Sequence, residues 1–151
     1  MTDLGLLKQF LGLEIEQSER WIKVKKKNYA SDILFKFKMS ECKESKFPFL
    51  SGIKLGEVGE SPLMDNSLYR HVVERMLYIT HSRPDLGYVV CDVERYMYQP
   101  HYIHWKETKR ILHYVQGTRH LGVQYAPNSP LELLGFTNSD WDGDPIVRNY
   151  T

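Results

Sequence analysis

Cysteine is scarce in this sequence, with Cys42 and Cys91 standing alone and far apart. That excludes a disulfide framework and a paired-cysteine zinc site, and it makes a reducing, intracellular setting the default. No apolar run approaches the roughly 20 residues of a membrane-spanning helix. At the start, Asp3 stands where a signal peptide carries positive charge, and Lys8-Gln9 interrupt the apolar stretch, so this frame carries no secretion signal. Export is expected only if the true N-terminus lies upstream of Met1. An excess of one charge is also missing. Lys plus Arg number 20 against 19 for Asp plus Glu, so no global field attracts nucleic acid or an anionic membrane, and any binding rests on local patches. The glycines of SGIKLGEVGE lack the strand-to-helix context of a phosphate loop, and the sequence contains no internal repeat.

What is present reads as an ordinary α+β chain. Leu11, Leu13 and Ile15 alternate with polar neighbours, then Ile22 and Val24 alternate with Lys23 and Lys25, so a first β-hairpin with a lysine face is expected. Tyr29, Ile33, Leu34 and Phe37 keep the spacing of a short helix. The periodicity dissolves between about Cys42 and Asp65, where Pro48, Gly52, Gly56, Gly59 and Pro62 imply a long surface loop, a candidate hinge and boundary. Tyr69, Val72, Val73, Met76, Leu77 and Thr80 then draw a helical stripe, as do Leu86, Val89, Val90, Val93 and Met97 after Pro84. Trp105, Thr108, Ile111, Leu112 and Val115 predict a third long helix, from about Tyr102 to Gln116 and capped by Gly117. Strand character returns at Val123 and Tyr125 and again at Leu131, Leu133 and Phe136, which predicts a second hairpin.

Read in order, FLGLEI, KNYASDIL, CKESKFP, LYRHVVERMLYIT, SRPDLGYVV, HWKETKRILHYVQGT, LGVQY and GFTNSDWDGD resemble the successive blocks of copia-type retrotransposon reverse transcriptases. The spacing from Arg83-Pro84-Asp85 to Lys109-Arg110-Ile111-Leu112 and Gly117-Thr118 carries most of that resemblance. It implies four parts: a palm-end, primer-grip-like hairpin and short helix over 1–42, a linker over 43–65, thumb- and connection-like helices over 66–118, and the start of a truncated RNase H domain over 119–151. The family's catalytic Tyr-Val-Asp-Asp motif is absent and belongs upstream of the opening block, so both ends look like cuts. The expected product is a non-catalytic polyprotein fragment, with no cofactor and no metal, that contacts nucleic acid weakly and without sequence preference and supports the rest of the polymerase. It is expected inside the cell, in cytoplasm or nucleus. The rival from another class is a co-opted interaction protein, such as a secreted pathogen effector acting on host proteins; an unselected relic is the third.

Two basic faces are the candidate contacts. Lys23, Lys25, Lys26 and Lys27, with Trp21, form a strand edge able to track phosphates while the indole stacks on a base, although Glu14 and Glu16 share that face and would pair with the lysines. Lys106, Lys109, Arg110 and His113 recur at helical spacing opposite the apolar stripe, where a thumb meets its template-primer duplex. His101 and His104 lack a third ligand at metal spacing and read as surface or capping residues. Asn138 stands where the resemblance places the first RNase H carboxylate, with Asp140 two residues on and Asp142 and Asp144 beyond. Glu74-Arg75 occupies a position where the family carries Gly-Ser, so bulk and charge are expected to disturb the packing of the first long helix.

Overall fold

Leu11 and Gly12 set the first turn. Both have positive φ, 48° and 76°, as a two-residue hairpin turn requires, and they join β1 (Gln9–Phe10) to β2 (Leu13–Gln17). The strand expected to run through Leu11 therefore begins at Leu13. The computed structural model describes residues 6–50 and 52–126. A second turn at Ser18 to Trp21 leads to β3 (Ile22–Lys25), which pairs antiparallel with β2 so that Ile15 faces Val24 and Glu16 faces Lys23.

Four helices follow: α1 (Lys27–Lys36), α2 (Asn66–Thr80), α3 (Gly87–Glu94) after a 3-10 turn at Pro84–Leu86, and α4 (Tyr102–Gly117). Asp65 caps α2 by accepting from the Leu68 N–H at 2.8 Å. The predicted stripes turn inward: Tyr69, Val72, Val73 and Met76 are buried on α2, Val89, Val90 and Val93 on α3, and Ile111, Leu112 and Val115 on α4. Ala30, Ile33 and Leu34 of α1 belong to the same cluster, so one core lies on both sides of the 43–65 loop. Each fully buried aliphatic side chain contributes roughly 1.5–3 kcal/mol.

The chain returns to the sheet in β4 (Gly122–Tyr125), whose Val123 faces Val24 of β3. The α+β architecture and the three consecutive helices agree with expectation. The terminal strand adds a pairing that the sequence did not indicate: β4 extends the first sheet in the order β1-β2-β3-β4. Period-2 alternation identifies a strand but not its partner. The expected second arm at Leu131 to Phe136 lies outside the described residues.

The Arg83-Pro84-Asp85 and Gly117-Thr118 blocks meet in one clasp. Buried Arg83 grips Asp85 with two parallel hydrogen bonds, 2.8 and 2.7 Å, and donates to the carbonyl and hydroxyl oxygens of Thr118 at 2.8 and 2.9 Å. Burial alone would raise the Asp85 pKa, but the Arg83 hydrogen bonds and charge outweigh it and hold the carboxyl below its ordinary value. Glu74 is exposed, and the half-buried Arg75 donates to His71 Nε2 at 3.2 Å. The expected disturbance of helix packing therefore does not occur: Glu74 sits on the solvent side of α2.

Candidate nucleic-acid interface

The hairpin face is built by the β2–β3 register, which sets Glu14 opposite Lys25 and Glu16 opposite Lys23. Lys25 is ion-paired with Glu16, whose carboxyl is held below the usual range first by that hydrogen bond. Glu14 accepts from the Asn28 N–H at 2.7 Å, so it serves as the acceptor at the start of α1 that Lys26, its N-cap residue, does not provide.

Lys26 departs from the expectation altogether. It is 3% exposed, its Nζ donates to the Tyr78 carbonyl at 2.6 Å near the end of α2, and it sits 3.2 Å from the centre of the Tyr78 ring. Burial lowers its pKa. The side chain is therefore a clamp between sheet and helix and takes no part in a surface. A signal for this lay in the sequence, because Lys26 stands two residues after Val24 and so falls on the same side of the strand. Exposed Lys27 and the partly exposed Lys23 and Trp21 remain at the surface of this region.

The α4 face is assembled differently. Lys106, Lys109, Arg110 and His113 line an open groove whose other wall is the start of the 43–65 loop, including Lys43, Glu44 and Ser45. The Ser45 N–H donates to the His113 carbonyl at 3.1 Å, and His113 Nδ1–H donates to the Lys43 carbonyl at 2.6 Å. This seam sets Lys43 beside the helical cations, a placement that no helical periodicity could indicate. Arg110 pairs with the buried Glu107 at 3.2 Å, and Lys109 Nζ lies 5.3 Å from the Trp105 ring centre. Neither Lys43 nor Lys106 has an ion-pair partner among the described residues.

Further along, the loop is fastened by histidines. His104 Nδ1 accepts from the His101 N–H at 2.9 Å, its Nε2–H donates to the Leu55 carbonyl at 2.9 Å, and its ring stacks on Tyr96 with centroids 3.9 Å apart. Both nitrogens are engaged as in the neutral ring, and burial lowers the His104 pKa. His101 Nδ1–H donates to the Ser61 carbonyl at 2.6 Å. Among the described residues no group of three or more His, Cys, Asp or Glu could hold a metal ion, and no helix is long and apolar enough to cross a membrane. Asn138, Asp140, Asp142 and Asp144 lie outside the described residues.

Sequence relatives give the class: the chain belongs to the copia-type retrotransposon Pol polyproteins and the fragments related to them. It is 31% identical over 138 residues to the retrovirus-related Pol polyprotein from transposon RE2 of Arabidopsis thaliana, covering 91% of this chain and 10% of that polyprotein. An uncharacterized mitochondrial protein of the same plant is 34% identical over 152 residues, covering 100% of this chain and 62% of its own length. A secreted RxLR effector protein of Plasmopara viticola is 32% identical over 89 residues, covering 58% of this chain and 63% of its own length. The chain thus spans a small part of the transposon polyprotein and less than two thirds of the mitochondrial protein. No family model and no solved structure matches it.

Proposed function

We propose that this chain is a non-catalytic, nucleic-acid-contacting segment of a copia-type retrotransposon polyprotein, equivalent to the thumb and connection of an RNA-directed DNA polymerase. The basic groove along α4 is the observation that carries the reading. Its cations face away from the core, and the loop opposite adds Lys43, so positive charge accumulates where most surface cations would be neutralised. Phosphoryl transfer requires carboxylates that hold metal ions, and the Tyr-Val-Asp-Asp quartet that supplies them in the family does not occur in this sequence. The chain therefore holds nucleic acid and supports the rest of the polymerase, within the cell, and does not polymerise.

Filter binding to a mixed-sequence DNA duplex tests this. Affinity is expected to be weak and indifferent to sequence, and to fall linearly with log salt. Joint Lys106→Glu and Lys109→Glu substitution should lower the affinity and flatten the slope by about 0.9 for each phosphate no longer neutralised. Binding that ignores both salt and the double substitution would remove the reading. The similarity to an effector over part of the chain favours a second reading, an interaction protein. That reading is adopted if the folded chain binds no nucleic acid and captures a protein instead.

A further inference from the structure

We infer that the α4 groove takes a single, unpaired nucleic-acid strand in preference to a duplex, with Tyr102 as the stacking platform; this rests on the nucleic-acid reading above and specifies its ligand. Tyr102 lines the same groove as Lys43, Lys106, Lys109, Arg110 and His113, and it is 52% exposed. Its backbone is fixed, since its N–H donates to the Pro62 carbonyl at 2.8 Å, so the ring stands on a rigid helix start. An aromatic face interleaved with cations is the pattern that binds unpaired strands: the charges follow the phosphates and the ring stacks on a base. A duplex has no exposed base face except at its ends and would leave the ring unused.

Shape points the same way. The groove is concave, with α4 as one wall and the strap at Lys43 to Ser45 as the other, the two fastened by the Ser45–His113 and His113–Lys43 hydrogen bonds. Tyr102 and His113 are separated by about 16 Å along the helix axis. At roughly 3.4 Å per stacked nucleotide that is room for about five. Glu44 is the one carboxylate in the lining, so the walls remain net positive.

Fluorescence anisotropy of the full chain with oligothymidylate, alone and annealed to oligoadenylate, separates the two forms. Simple charge attraction favours the duplex, which carries twice the phosphate per length, so tighter binding to the single strand identifies stacking. Tyr102→Ala should weaken single-strand binding roughly fivefold or more and leave the duplex unchanged, while Tyr102→Phe retains single-strand affinity. Joint Lys106→Glu and Lys109→Glu substitution should weaken both. Duplex preference with no effect of Tyr102→Ala would overturn this inference and leave the broader reading standing. Indifference of both ligands to the lysine substitutions would overturn the broader reading itself. Circular dichroism of each variant confirms that the helices persist.

Discussion

The hairpin and α4 each concentrate cations in a short stretch of chain, but they meet different surroundings. On the hairpin, Lys25 pairs with a glutamate from the neighbouring strand and Lys26 is buried against Tyr78, so the cluster is dispersed by the fold. On α4, the opposing wall is a loop that contributes Lys43, and of the groove's cations only Arg110 has an acid partner among the described residues. Charge in sequence therefore becomes charge at a surface only where the partner element leaves the cations unpaired. In an antiparallel sheet the partner is dictated residue by residue, and here it supplies Glu14 and Glu16.

The contrast breaks most visibly at Lys26. Lys26→Glu places a carboxylate against a carbonyl oxygen and the face of an aromatic ring, and should cost about 3–5 kcal/mol in urea denaturation. A variant of unchanged stability that had lost nucleic-acid binding would return Lys26 to the surface and dissolve the distinction.

The strap side of α4 can be probed by acid. Burial, chiefly, lowers the His104 pKa, while the Leu55 carbonyl opposes that shift. Unfolded histidine takes up its proton near pH 6.5, about its ordinary value. Below that the unfolded chain holds a proton that the folded chain refuses. Stability is thus fully present above about pH 6.5 and declines as pH falls toward the depressed folded value. Denaturation midpoints recorded across that window should slope downward with acid, and His104→Gln should flatten the slope. A level profile in the unsubstituted protein would mean that His104 does not fasten the loop.

The smallest effect belongs to Glu16→Gln. The Glu16 side of the pair is open to water, although Lys25 is largely covered, so stability should shift by about 1 kcal/mol. Freed of its partner, Lys25 would join Lys23 and Lys27, and anisotropy should report a few-fold tighter nucleic-acid binding with a steeper salt dependence. No change would place the hairpin outside the interface.

The helices were legible in the sequence because the buried residues of α2 and α4 recur at the spacing that helix geometry imposes. The groove was half legible, since Tyr102, Lys106, Lys109 and Arg110 follow the same rule while Lys43 enters through the path of an aperiodic loop. Long-range pairings were opaque. Nothing near Val123 announces Val24, and the alternation that runs through Leu11 conceals the turn that Gly12 marks. The Arg83 and Thr118 blocks, which stand out in the sequence only as a family signature, are a structural clasp, so a recurrent motif can reside in packing as readily as in chemistry.

The pairing of β4 with β3 also has a kinetic meaning. Gly122 lies so close to the Val24 carbonyl that a Cβ at this position would collide with it, so β3 accepts β4 only through a residue without a side chain. That strand comes after all four of the described helices in the order of synthesis. While a ribosome is still making α4, the outer edge of β3 has bare amides and carbonyls and no intramolecular partner for them. The contact that closes the sheet spans nearly a hundred residues, which makes it a late event, following formation of the local helices and limited by chain closure more than by local propensity.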